Sequence, residues 1–226
     1  IYLVASAAMD YFDHLDAVGQ IALSGLKADD WYIESARAAM EDGRMRYAGK
    51  YSAPDYEAIL ESGCDLAIEN TMIYHTPEVV EQLQAAGIPV LVERSSYESD
   101  PLGRIEWIKL YGVLVGKEEE ACSQYDALLE KLRPILDQEP TDQSVAFFYI
   151  NSSGAVNVRK SGDYIAKAIA MAGGRYVSFD ESGEENALST MTIQMESFYA
   201  AAADADILIY NSTIDGEIKT IDELLA

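Results

Sequence analysis

The residues of this chain best suited to ligand chemistry stand just after short apolar runs. Ser6 follows Ile1–Ala5, and Lys50 and Tyr51 follow Arg46–Gly49. Asn70 closes Asp65–Asn70, with Met72 and Tyr74 just beyond; Arg94 closes Pro89–Arg94, with Tyr97 beyond. In the second half Asn151 and Ser152 follow Val145–Ile150, Arg159 closes Ala155–Arg159, and Asn211 follows Asp206–Tyr210. Trp31 and Tyr32 open a helix-like stretch past Ala22–Leu26 and are expected to rim the same region. Tyrosine, amide, hydroxyl and a few cations suit a bulky polar-aromatic guest, because rings supply contact area at low entropy loss and polar tips orient it. Lys50, Arg94 and Arg159 can neutralise carboxylates or an anionic chelate, the arginines in bidentate fashion. This is binding chemistry.

Signatures of bond-making chemistry are missing. No glycine-rich dinucleotide fingerprint, phosphate loop, Gly-x-Ser-x-Gly elbow or His-Glu-x-x-His pair occurs. The two histidines are His14, in a helix-like stretch, and His75, in a strand-end loop able to line a cleft. A transition-metal site built from imidazoles needs more of them, so no metal site is expected. Cys64 and Cys122 form neither a metal spacing nor a disulfide framework and read as free, partly buried thiols.

Composition narrows the class further. At 226 residues, 49% hydrophobic and 24% charged, the chain can bury a core as one large domain or two lobes. A formal net charge of −23 argues against nucleic acid and anionic lipid as partners, which require basic patches. No stretch approaches the ~20 apolar residues of a membrane span. No signal peptide is visible, but the chain opens directly on a strand, so this says nothing of location.

The elements that must position these residues follow from periodicity. Asp65-Leu-Ala-Ile-Glu-Asn-Thr71 and Asp206-Ile-Leu-Ile-Tyr-Asn-Ser-Thr213 are one pattern used twice, each after a helix-like stretch with an early glutamate, Glu57 and Glu196. Apolar runs alternating with helices read as parallel βαβ units, whose ligands sit off the carboxyl ends of the strands. Strands are expected at 1–5, 22–26, 46–49, 65–70 and 89–94. Helices are expected from the turn Ser6-Ala-Ala-Met-Asp10 to about Asp16, from Asp29 to about Glu41, from the capping-box variant Ser52-Ala-Pro-Asp55 through Leu60, and over Thr76–Ala86. Helix then dominates from Pro101 to about Asp137, interrupted at Gly116, and its second piece of roughly 20 residues spans ~30 Å as a stiff strut. Beyond it come strands 145–150, 155–159, 175–179 and 206–210, helices 163–172 and 192–205, an acidic loop over Asp180–Ser189, and an incipient helix at Ile221–Ala226 with no strand after it. The expectation is α/β: two Rossmann-like lobes with parallel sheets, joined by a long linking helix, with a ligand cleft between the lobes. The lobes are 1–115 and 139–226, with 116–138 linking; the second is expected to be truncated.

The blocks Pro54-Asp-Tyr-Glu-Ala-Ile-Leu60, Cys64-Asp-Leu-Ala-Ile68, Gly87-Ile-Pro-Val-Leu91, Pro101-Leu-Gly-Arg-Ile-Glu-Trp107 and Leu114-Val-Gly-Lys-Glu-Glu-Glu-Ala121 resemble, in order and spacing, the helical-backbone (class III) substrate-binding proteins of ABC importers for ferric siderophores, haem and cobalamin. The resemblance covers essentially the whole chain. It implies an extracytoplasmic monomer, periplasmic or lipid-anchored at the cell surface, that carries a metal chelate to an ABC permease and its ATPase. No catalytic residue or resident cofactor is implied; a siderophore, haem or corrinoid would be cargo. It assigns Glu57 and Glu196 to permease docking. A transferase-type enzyme with its active site in the same cleft, a receptor for free metal ions, and a sensor or adhesion module sharing the fold are the alternatives.

Overall fold

The computed structural model describes residues 1–179, 190–213, 218 and 220–225. The chain divides into two units, Ile1–Ser96 with Ile105–Ala127, and Tyr97–Arg104 with Leu128–Ala226.

The first unit holds five parallel strands, β1 (Tyr2–Leu3), β2 (Leu23–Ser24), β3 (Arg46–Tyr47), β6 (Ala67–Glu69) and β7 (Val90–Val92), in the order β3-β2-β1-β6-β7. A separate hairpin, β4 (Gly49–Lys50) with β5 (Ala53–Pro54), follows β3. The central strands are short and wholly buried, the mark of a parallel sheet covered on both faces. Tyr2 pairs in register with Leu23 and Ala67. One face packs these three with Ile59 of α3 (Tyr56–Glu61), Val79 and Leu83 of α4 (Pro77–Ala85), Ile73 and Ile88. Leu3 and Ile68, next along their strands, point the other way. Helices α1 (Met9–His14), α2 (Glu34–Glu41) and α6 (Ile108–Val115) bury Phe12, Ala36, Ala39 and Tyr111, with Phe12 edge-on to Tyr111 at 5.5 Å.

Between α4 and α6 runs α5 (Pro101–Glu106), and after α6 comes α7 (Glu118–Leu136). Gly116, at φ 72°, takes the left-handed conformation that ends α6. The interruption expected there is thus a helix terminus. The 19-residue α7 begins in the first unit and ends in the second.

The second unit is built on β8 (Ser144–Ile150). Parallel partners are β10 (Arg175–Tyr176) and β12 (Ile207–Tyr210). By contrast β9 (Val156–Arg159) folds back antiparallel to β8, and β11 (Thr190–Ile193) lies antiparallel to β9. Val145 pairs with both Tyr176 and Ile207, and Phe148 with both Val158 and Tyr210, so β9 and β10 share the edge of β8 that β12 does not use. This sheet is mixed, which corrects the all-parallel expectation: β8 and β9 are joined by a tight turn, and only an antiparallel pair can close so short a connection. Its core gathers Ala146, Phe148, Val156, Val158 and, from α9 (Met195–Ala202), Phe198 and Ala202. Helices α8 (Tyr164–Met171) and α10 (Ile221–Leu225) complete the described elements.

Three boundaries also differ from expectation. Asp55, rather than Ser52, caps α3 by accepting from the Ala58 amide at 3.0 Å, because Ala53–Pro54 is held in the hairpin. Residues 28–30 form a 3₁₀ turn and α2 starts only at Glu34, since Trp31 takes an extended backbone and buries its ring. Thr192 and Ile193 lie in β11; the exposed, half-buried, exposed, half-buried alternation of Thr-Met-Thr-Ile is a strand period. The acidic stretch Asp180–Ser189 and Ala226 lie outside the described residues.

Candidate functional site

Because the five strands of the first unit are parallel, their carboxyl ends share one edge, and the topology brings most of the predicted residues there. Past β3, Lys50 is exposed on the hairpin while Tyr51 is half-buried against the core. Gly49, at φ 85°, closes on Ala53 so tightly that an added Cβ would stand 2.2 Å from its carbonyl oxygen. The buried Tyr2 hydroxyl donates to the Gly49 carbonyl at 2.8 Å and ties the hairpin to β1.

Past β2, Trp31 is 3% exposed and its Nε1 donates to Ser24 Oγ at 3.1 Å, while Arg37 donates to its carbonyl at 2.7 Å. The sequence expects it on the rim; the structure instead anchors it inside, while the next residue, Tyr32, is 96% exposed. Ser6 is exposed on the 3₁₀ turn after β1. Past β6, Asn70 Oδ1 accepts from the Met72 amide at 2.9 Å and starts a 3₁₀ turn, Thr71–His75. Met72 and Tyr74 on that turn are 46% and 58% exposed. Past β7, Arg94 is exposed, and Glu93 is buried with Oε1 accepting from the Ser95 amide at 2.6 Å. Tyr97, exposed as well, groups with the second unit.

In the second unit the parallel β8 and β12 run out in the same direction, with Asn211 following β12 level with Tyr149 and Asn151 two residues further on past β8. Asn151 Oδ1 accepts from the Ser153 amide at 3.0 Å and the Ala155 amide at 3.1 Å, organising the β8–β9 turn on which Ser152 is exposed. Asn211 Oδ1 accepts from the Thr213 amide at 3.2 Å and its hydroxyl at 2.6 Å. All three strand-end asparagines therefore make the same bond to the amide two residues on, which turns the chain out of the sheet. The bond engages the side-chain carbonyl oxygen in each case.

Arg159 stands apart from these. As β9 is antiparallel to β8, its last residue comes level with the middle of β8, away from Asn151. Its guanidinium is held by Thr190 Oγ1 at 2.9 Å and by Asp163 at 3.6 Å, whose side chain is fully buried and caps α8 through the Ile165 amide. The guanidinium expected at a ligand site is thus engaged by Thr190 and Asp163 in this position.

The doubled motif holds in three dimensions. Glu57 sits in the first turn of α3 ahead of β6, and Glu196 in the first turn of α9 ahead of β12, both exposed. A carboxylate is favoured at a helix start.

One residue of the first unit was not anticipated. Glu69, the last residue of β6, is 0% exposed, and neither carboxyl oxygen has a hydrogen-bond partner. Burial pushes its pKa from 4.5 to about 8. Tyr2 and Tyr56 are pushed up chiefly by burial as well, with Glu69 adding to both. A charged residue type inside the apolar run Ala67-Ile68-Glu69 was the available signal. Among the described residues no group of three histidine, cysteine, aspartate or glutamate side chains is placed to hold a metal, and no helix is long and apolar enough to cross a membrane.

No known family profile matches the chain. An uncharacterized lipoprotein of Methanocaldococcus jannaschii is 26% identical over 195 residues, 83% of this chain and 44% of that protein. The chain thus spans less than half the length of this curated relative. Among solved structures, the periplasmic haem-binding protein HutB of Vibrio cholerae matches with a TM-score of 0.73 at 17% identity, over 99% of this chain and 80% of that one. The chain has the class III periplasmic binding-protein fold. A periplasmic haem-binding protein from Pseudomonas aeruginosa shares this fold at a TM-score of 0.65 and 16% identity, covering 99% of this chain and 74% of that one. So does the siderophore-binding protein BauB, solved with two acinetobactin molecules and ferric iron, at 0.65 and 15% over 97% and 73%. At such identities the class III likeness concerns the backbone, and the residues that meet a guest are this chain's own.

Proposed function

We propose that this protein is the extracytoplasmic substrate-binding component of an ABC importer, receiving a ferric siderophore, haem or corrinoid and handing it to a permease driven by its ATPase. The observation that carries this reading is the pairing of a binding-protein fold over 99% of the chain with a strand-end edge bearing exposed Tyr32, Met72 and Tyr74 beside Lys50 and Arg94. Aromatic faces give a flat, bulky chelate contact area, and the two cations meet its acidic groups. Ser6, Tyr51 and Asn70 complete the polar lining of the first unit; Asn151, Ser152 and Asn211 are the donors of the second. No bond is made or broken. A lipid anchor accords with the description of the archaeal relative as a lipoprotein.

Glu57 and Glu196 are the docking points for basic residues of the permease. A negative charge on a helix start of each unit steers and orients such an encounter without touching the guest. Titration with haem, cobinamide and a ferric siderophore, followed by absorbance and tryptophan fluorescence, tests the reading. We expect micromolar or tighter binding of at least one, weakened by Tyr32→Ala or Tyr74→Ala. Glu57→Ala with Glu196→Ala is expected to keep that affinity and abolish uptake. No response to any of the three compounds would overturn the ligand class, and unchanged uptake would overturn the docking role.

A further inference from the structure

Strand β6 is pinned on both sides: the Val4 amide donates to the Ile68 carbonyl at 2.8 Å, and the Glu93 amide donates to the Glu69 carbonyl at 2.8 Å. Its three residues are all fully buried. Glu69 lies two residues beyond Ala67, so its side chain shares the face packed by Tyr2, Ile59 and Ile73. Asn70 follows at once and caps the turn Thr71–His75. A carboxyl group therefore sits in an apolar layer directly under the turn that carries Met72 and Tyr74.

The groups around Glu69 do nothing to favour its charge. From β1 comes Tyr2, whose hydroxyl is directed to the Gly49 carbonyl. From α3 comes Tyr56, which also feels Glu78 of α4. Tyr47 and Cys64 act on Tyr2 in turn. On β7 the residue in register is Val92, and the next, Glu93, is bonded to the Ser95 amide. His75, on the turn itself, is exposed. Apart from the exposed His75, every one of these is an acid or an uncharged side chain, and a buried carboxylate with no counter-charge is far more costly than the neutral acid.

We propose that Glu69 is a proton-operated brace: as a neutral acid it lets the end of β6 close into the sheet and seat the turn Thr71–His75, and as a carboxylate it drives that end open to reach water. The brace belongs to the fold and operates whether or not a guest is bound. Opening the strand returns the side chain to the ordinary carboxyl range, so alkali favours the open form until Glu69 is ionised in the closed form as well.

Hydrogen exchange of a peptide covering residues 67–76, corrected for the intrinsic pH dependence, reads the opening equilibrium directly. With the closed-state value at about 8 and the open-state value at 4.5, opening is expected to rise about seventy-fold from pH 5 to 7, about ten-fold more to pH 9, and then to level off. Glu69→Gln is expected to abolish the response; His75→Gln is expected to keep it. A flat wild-type profile, or one unchanged by Glu69→Gln, would overturn the proposal. Should the glutamine variant not fold, the wild-type protein is decisive by infrared spectroscopy. A protonated-carboxyl band present at pH 6 and lost with a midpoint near 8 supports the brace, and its absence at pH 6 refutes it.

Discussion

Replacing Gly49 by alanine tests how the hairpin that presents Lys50 and Tyr51 is held. At φ 85° the residue is in the left-handed region, where a side chain costs about 1–2 kcal/mol. The new Cβ would also stand 2.2 Å from the Ala53 carbonyl oxygen and 2.9 Å from Pro54 Cα. Both are backbone atoms of the strand paired with Gly49, so no rotamer change relieves the collision and β4 must part from β5. Parting moves the Gly49 carbonyl from the Tyr2 hydroxyl, and a buried hydroxyl left without its acceptor costs roughly 1–3 kcal/mol. The sum is a loss of roughly 2–5 kcal/mol, read as a lower urea midpoint at unchanged slope. Tyr2→Phe removes the hydroxyl alone and should lose roughly 1 kcal/mol. In that background Gly49→Ala should be milder by about the value of the hydrogen bond, since the two residues share it. A Gly49→Ala protein within ~0.5 kcal/mol of wild type, or strict additivity with Tyr2→Phe, would refute this account of the hairpin.

Two further outcomes follow from the second unit. Arg159→Ala removes the guanidinium paired with the fully buried Asp163 and should destabilise the fold by roughly 1–3 kcal/mol with no change in affinity for a bound chelate; reduced affinity at full stability would return Arg159 to the ligand surface. The carboxylate of Asp206 accepts from the Ser144 amide at 2.7 Å and its hydroxyl at 2.8 Å, which hold its pKa below the usual aspartate range. A depressed carboxyl contributes stability above its unfolded pKa and loses it as pH falls through the folded one. Asp206→Asn should therefore lower the melting temperature at pH 7, by an amount that shrinks in acid; a constant difference would contradict the assignment.

Alternating apolar runs and helix periods were enough to place most elements, because a strand buried on both faces and a helix buried on one must show those patterns wherever they pack. The doubled helix–strand–Asn motif was equally legible, since Asn70 and Asn211 do the same local job of turning a chain out of a sheet. Where a turn or a partner decided the outcome, local pattern was not enough. Val156–Arg159 reads alike as a parallel or an antiparallel strand, and the closure of Gly154 onto Asn151, at 2.9 Å from amide to carbonyl, decided it.

The same division runs through the candidate surface. Which residue types stand past the strands is a matter of sequence, and Tyr32, Met72, Tyr74, Lys50 and Arg94 were readable there. Which of them face water is not, because exposure depends on distant neighbours: Ser24 draws the Trp31 indole inward, and Asp163 and Thr190 claim Arg159. Glu69 shows this most plainly. Its identity is one letter in a strand, but its proton affinity depends on what several other segments pack around it, and only their assembly removes the water that would have kept it an ordinary acid.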